Sequence, residues 1–187
     1  VDYSNCVHGV GHGLMAITDD ELYASLAYCD TLTGEWEQQA CAGGVYMENV
    51  VSNGVNHDSK YLDPKRPHFP CDESPDRYKS ACYLMQTSYM LEISGGNFTQ
   101  AFAWCREAGD YRYICDRSIG RDASGNTISH GPKTRDLCMV GENTDEISNC
   151  AIGAAIDFVS YFHSDVEAKA MCDLFSEDIV KQACHSA

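Results

Sequence analysis

The hydrophobic pattern along the chain is that of short amphipathic helices. Residues 18–21, Thr-Asp-Asp-Glu, form a helix-capping sequence. Leu22, Leu26 and Cys29 follow at the spacing of one helical face. A second capping sequence lies at 164–167, and no segment shows the sustained alternation of polar and apolar residues that is typical of a β-strand. The pattern therefore predicts an all-α fold.

The 11 cysteines divide the chain into units of similar length. Their spacing alternates between about 23 and about 11 residues, except for a longer interval between Cys41 and Cys71, and a fixed period of this kind is typical of stacked supersecondary units. The spacing predicts a single domain over 1–187, a short α-solenoid of about five helix hairpins of about 34 residues each, stapled by disulfides. The predicted units are 6–40, 41–81 with an inserted loop at 53–76, 82–114, 115–149 and 150–183.

The same spacing predicts which cysteines are bonded. Cys29 precedes the turn at Gly34 and Cys41 follows it, so two antiparallel helices would place the two thiols side by side. Metal ligation by thiolates would need closely spaced pairs such as C-x-x-C, which the sequence lacks. The predicted disulfides are Cys29–Cys41, Cys71–Cys82, Cys105–Cys115, Cys138–Cys150 and Cys172–Cys184, with Cys6 left unpaired.

Five disulfides imply an oxidising compartment: secreted, periplasmic or at the cell surface. The alternation places a partner for Cys6 upstream of Val1, so we expect the chain to be a fragment of a longer array. The unit length and hairpin layout resemble tetratricopeptide and Sel1-like repeats, especially the cysteine-bridged Sel1-like proteins of bacterial secretions. The tetratricopeptide residue pattern is absent, and the cysteine spacing differs from that of the Sel1-like bridge. The resemblance implies a solenoid with a concave binding face.

One helical face of the first unit carries residues that bind metals. In the fifth unit the corresponding positions are Ile152 and Ile156, which we expect to be buried. In the first unit they are His8 and His12, with Met15 following on the same face. Two imidazoles four residues apart on a helix can share one metal ion. Two histidines with a thioether would suit copper, and two histidines with a carboxylate would suit zinc or iron.

Two further residues could complete such a site. Glu48 lies on the next predicted helix, and His57 lies in the inserted loop. The alternative is that the glycines interleaved with His8 and His12 allow tight helix packing, and that both histidines are ordinary core or rim residues. The sequence leaves both interpretations open.

A second group of charged residues lies in the fourth and fifth units. Arg117 and Arg121 occupy the positions that correspond to the two histidines of the first unit. Asp122 and Asp157 share a third position with Glu48, on a face that we expect to be at least half buried. We expect ordinary ion pairs here, and a shared acidic binding site is the alternative.

The charge narrows the classes of function. With 28 acidic and 13 basic residues the net charge is −15, which disfavours nucleic acid and favours a protein or cationic ligand as partner. The sequence shows no nucleotide or haem motif and no segment that could span a membrane. We expect a binding or structural module with a copper or zinc site near His8 and His12. The alternative is a metal-dependent enzyme whose His and Glu residues lie under the inserted loop.

Overall fold

The structure, a computed structural model, describes residues 3–51 and 59–187, without the side chain of residue 4. Within these residues every regular element is a helix, which confirms the all-α prediction. A short 3₁₀ helix, Gly109–Tyr111, precedes α6. The α-helices are α1 (Tyr3–Ile17), α2 (Leu22–Cys29), α3 (Glu35–Val51), α4 (Asp76–Ile93), α5 (Phe98–Cys105), α6 (Arg112–Asn126), α7 (Gly131–Cys138), α8 (Thr144–Phe162), α9 (Val166–Cys172) and α10 (Asp178–His185).

The chain divides into two compact units, Val1–Tyr89 and Met90–Ala187, with the boundary inside α4. In the first unit α1 packs along α3, and α2 packs against both. In the second unit α6 packs along α8, and α8 also contacts α7, α9 and α10. None of the helices in the described ranges is both long enough and apolar enough to span a membrane.

Glycine allows the two long helices of each unit to touch backbone to backbone. A side chain at Gly11 would overlap the carbonyl oxygen of Cys41, and one at Gly44 would overlap that of His8. The second unit has the same crossing between α6 and α8, where Gly120 and Gly153 lie against the opposite backbone. No larger residue fits at these four positions without separating the helices. The crossings therefore fix how the helices face one another.

The turns between successive helices also recur. Residues 19–20 lie between α1 and α2 and have positive φ angles of 57° and 59°. Residues 128–129 lie between α6 and α7 and have positive φ angles of 53° and 51°. These two pairs are 109 residues apart. Residues 95–96, between α4 and α5, have φ angles of 66° and 81°. In each turn the second residue donates its N–H to the carbonyl five residues earlier, over 2.7–2.9 Å. Three helix pairs thus share one turn geometry.

All five predicted disulfides are present, so the predicted pairing is confirmed. Their Cα–Cα distances of 5.4–5.7 Å are ordinary for disulfides. Four of them join the two helices of a hairpin, as in Cys29–Cys41, and Cys71–Cys82 joins the inserted loop to α4. Cys6 is unpaired and exposed. Five disulfides indicate an oxidising environment.

The described part of the inserted loop, residues 59–75, consists of turns. Buried side chains hold it in place. The amide of Gln86 donates to two loop carbonyl oxygens, at 2.9 and 2.8 Å, and the hydroxyl of Tyr46 donates to Ser74 at 2.8 Å. The loop is therefore anchored to α3 and α4 as well as by its disulfide.

One burial prediction is wrong. The face of α8 that we expected in the core is turned outward: Ile156 is 53% exposed and Ile152 is only half buried. The buried face contains Cys150, Ala151 and Phe158 instead. The reason is that the bonded cysteines lie in the core, so positions on the opposite side of the helix face outward. The corresponding positions of α1, which carry the two histidines, are half buried.

Candidate functional site

The candidate site lies beside the glycine crossing of α1 and α3. His8 and His12 are one turn apart on α1, and Met47 and Glu48 face them from α3. The ring of His8 lies over Gly43, where a Cβ atom would be 3.3 Å from Nδ1. The close approach of the two backbones thus brings side chains from both helices into contact.

The polar atoms of these four side chains form a continuous chain of contacts. Nδ1 of His12 is 2.6 Å from Oε2 of Glu48. Nε2 of His12 is 3.3 Å from Nε2 of His8, which in turn is 3.4 Å from Sδ of Met47. The side chains of His12 and Glu48 are 33% and 35% exposed. The cluster is therefore partly shielded by protein and still open to solvent.

The carboxylate of Glu48 sets the tautomer of His12. A carboxylate accepts hydrogen bonds, so a neutral His12 ring carries its proton on Nδ1 and donates a hydrogen bond from there to Glu48. The lone pair is then on Nε2, the nitrogen that faces His8. A histidine that binds a metal usually donates a hydrogen bond from its second nitrogen to a carboxylate or another acceptor. The acceptor orients the ring and raises the basicity of the ligand.

The separation of the two Nε2 atoms suits a shared ion. Two nitrogens bound to one metal at about 2.05 Å, at a tetrahedral angle, lie about 3.3 Å apart. The Nε2 atoms of His8 and His12 are 3.3 Å apart. Without a metal, the same distance allows one ring to donate a hydrogen bond to the other. Among the described residues, no group of three or more His, Cys, Asp and Glu side chains is arranged to hold a metal, so the third donor near this pair is the sulfur of Met47.

The structure brings together three of the five predicted metal ligands, His8, His12 and Glu48. Met15 is only 1% exposed and belongs to the core. His57 lies outside the described residues. The thioether beside the histidines is that of Met47, which the sequence analysis missed. Its signal was available, because Met47 follows Cys41 by the same six residues that separate His12 from Cys6.

The four residues of the predicted second cluster have different surroundings. Arg121 and Asp122 pair with each other at 2.7 Å and are largely buried, as expected for an ordinary ion pair. The guanidinium of Arg117 lies over the ring of Tyr113, 5.5 Å from its centroid. Asp157 is half buried on α8. A binding role for these residues stays a prediction.

A buried acidic pair in the second unit was not predicted from the sequence. Glu146 on α8 is 1% exposed, and its two carboxylate oxygens accept hydrogen bonds from Arg106 at 2.8 and 3.3 Å. The backbone N–H of Glu142 and the amide of Asn143 also donate to it, each at 2.8 Å. Burial alone would raise the pKa of Glu146, but these hydrogen bonds outweigh it and lower the pKa.

Asp116 on α6 is the second acid of this pair. It is 1% exposed, and its Oδ1 atom has no hydrogen-bond partner among the described residues. Burial, together with the negative charge of Glu146, raises the pKa of Asp116 to about 7. One acid of the pair is thus kept ionised by its partners, while the other favours its protonated form.

Comparisons with known proteins identify no relative. No family model matches the chain, and no curated protein or solved structure matches it. The resemblance to tetratricopeptide and Sel1-like repeats therefore remains a prediction from unit length and hairpin layout. The geometry at the crossing of α1 and α3 is the observation from which a function can be inferred.

Proposed function

We propose that this protein is a secreted or surface-exposed, disulfide-stapled module of helical repeats that binds a metal ion between α1 and α3. One observation carries the proposal. The Nε2 atoms of His8 and His12 face each other at 3.3 Å, while Glu48 holds the far side of the His12 ring. Copper and zinc are the ions that best suit imidazole ligands of this kind.

Several features support the repeat module. The paired positive-φ turns recur at 19–20, 95–96 and 128–129. The glycine crossing of α1 and α3 recurs between α6 and α8. Five short-range disulfides stabilise the hairpins by reducing the freedom of the unfolded chain, a role that is common in secreted domains.

The electrostatics of the chain also support a cationic ligand. The net charge of −15 raises the local concentration of cations around the protein. At the site itself, Glu48 contributes a negative charge next to the His12 ring, and this charge would stabilise a positively charged ion bound on the other side of the ring. The partial exposure of His12 leaves a path by which an ion could enter.

Titration of the metal-free 187-residue chain with Zn²⁺, and separately with Cu²⁺, tests the proposal. We expect one ion per chain in the wild type and no stoichiometric binding after His12→Ala, with the helical circular dichroism signal unchanged. His185→Ala is the matched control, because His185 pairs with Asp173 in the other unit and should leave binding intact. Absence of binding by the wild type, or equal binding by His12→Ala, would contradict the proposal.

A further inference from the structure

We infer that the site between α1 and α3 is built for a soft monovalent ion, Cu(I), with Nε2 of His8, Nε2 of His12 and Sδ of Met47 as its three ligands. This inference rests on the proposed metal site and identifies its ion. The inference depends on the position of the sulfur. Sδ of Met47 is 3.4 Å from Nε2 of His8, and the same nitrogen is 3.3 Å from Nε2 of His12. Nε2 of His8 therefore lies within 3.4 Å of both other donor atoms.

The chemistry of the donors separates copper from zinc. A thioether is a soft, uncharged ligand that favours Cu(I), whereas zinc sites in proteins use thiolate, imidazole and carboxylate. The carboxylate that zinc would favour as a direct ligand belongs to Glu48, and its Oε2 atom contacts Nδ1 of His12, on the far side of the ring from Met47. Zinc would thus find two nitrogens here, whereas Cu(I) would find two nitrogens and a sulfur.

The charge of the site also fits a monovalent ion. Two neutral imidazoles and a thioether contribute no charge at the ion, and the carboxylate of Glu48 acts through the His12 ring. A divalent ion held by the same three uncharged atoms would bring more charge into a partly buried position than a monovalent ion does.

The two helices hold the donors in place before any ion binds. The backbones of α1 and α3 are in contact at Gly11 and Gly44, where neither position has room for a side chain. The His8 ring lies next to Gly43, where an added Cβ atom would be 3.3 Å from Nδ1. Glu48, on α3, fixes the orientation of the His12 ring on α1. Ligands held on rigid elements by supporting contacts bind a metal with little reorganisation.

The decisive experiment compares Cu(I) with zinc in matched variants of the 187-residue chain. Each variant carries Cys6→Ser, because the exposed thiol of Cys6 would itself bind Cu(I). Cu(I), kept reduced with ascorbate, is titrated against the chromophoric chelator bathocuproine disulfonate, and zinc is titrated against a zinc indicator. Ag(I) serves as a redox-inert probe for the same soft ligands. Met47→Leu removes the sulfur at nearly constant volume, and Met15→Leu, at a buried methionine of α1, is the matched control.

We expect Met47→Leu to weaken Cu(I) and Ag(I) binding by at least about tenfold, and to change zinc binding by less than about threefold. Met15→Leu is expected to leave all three affinities unchanged. A second readout does not depend on a variant: in the wild-type sequence with Cys6→Ser, Ag(I) is expected to shift the ε-methyl NMR signal of Met47 and not that of Met15.

The outcomes separate this inference from the proposed function. If the protein binds zinc and Cu(I), but Met47→Leu affects neither and the Met47 methyl signal does not move, the Cu(I) inference is wrong and the metal site stands. If no ion binds to the wild-type site, both fail. Loss of zinc and Cu(I) together in Met47→Leu would show that Met47 has only a packing role, and would also overturn the inference.

Discussion

The buried carboxyl group of Asp116 makes the stability of the protein depend on pH in a way that one substitution can remove. Burial and the charge of Glu146 raise the pKa of Asp116 from 3.8 to about 7. Because Oδ1 has no hydrogen-bond partner among the described residues, no hydrogen bond at this oxygen replaces the water lost on folding. Asp116→Asn keeps the shape of the side chain and removes its ionisation.

The sign of the effect follows from the raised pKa. The native state holds the Asp116 proton more tightly than the unfolded chain, so between about pH 4 and about pH 7 the native state binds more protons. The contribution of Asp116 to the free energy of unfolding therefore falls as pH rises through this range. At 1.36 kcal/mol per pKa unit, the shift from 3.8 to about 7 corresponds to at most about 4 kcal/mol.

The Asp116→Asn variant avoids this loss. We expect its stability to be close to that of the wild type at about pH 4, and to exceed it by about 2–4 kcal/mol at about pH 8. Urea unfolding with the disulfides intact, followed by circular dichroism at both pH values, measures the difference. Comparing the two proteins at the same pH cancels the titration of groups that they share.

Asp110→Asn is the matched control, since Asp110 is exposed and the substitution removes the same charge at the surface. It is expected to change stability by less than about 0.5 kcal/mol at either pH. If wild type and Asp116→Asn differ by the same amount at about pH 4 and about pH 8, Asp116 does not titrate in this range, and the reasoning from its burial is refuted.

Two further predictions concern the helix contacts and the disulfides. Gly44→Ala would place a methyl group on the carbonyl oxygen of His8 and is expected to lower the free energy of unfolding by about 1–3 kcal/mol. Gly13→Ala is the control: a Cβ atom there would have no neighbour within 4 Å, so the substitution should raise the free energy of unfolding by up to about 1 kcal/mol. Thermal unfolding measures the stability of the two variants, and equal effects would contradict the close contact of α1 and α3 at Gly44. Replacing Cys172 and Cys184 together by Ser should lower stability by about 3 kcal/mol in urea unfolding. An unchanged urea midpoint would show that this disulfide adds no stability beyond that of side-chain packing.

The sequence was sufficient for the features that depend on local spacing. The disulfides of the helix hairpins could be predicted because a short turn such as that at Gly34 leaves few ways to oppose two cysteines. Helix starts were less accurate. Residues 18–21 were predicted as a capping box, but α2 begins at Leu22 with Glu21 as its N-cap, which makes no side-chain capping bond. Thr18 bonds Ser25 instead, at 2.7 Å, across the turn.

The composition of the site depended on information that is not local. Which side of α1 faces α3 is decided by the contact at Gly11 and Gly44, and a single helix does not reveal it. For this reason Met15, at a suitable spacing from the histidines, was predicted as a ligand although it lies in the core. Met47 is 39 positions from His8 in sequence, and only the crossing brings the two together. Partners at such distances follow from tertiary packing.

X-ray absorption at the copper edge of the Cu(I)-loaded protein, carrying Cys6→Ser, is the most direct test of a metal site between α1 and α3. The structure predicts about two imidazole nitrogens and one sulfur around each copper, from His8, His12 and Met47. In Met47→Leu the sulfur contribution should disappear while the imidazole signal remains. A spectrum without imidazole scattering, or a sulfur signal that persists in Met47→Leu, would contradict the assignment.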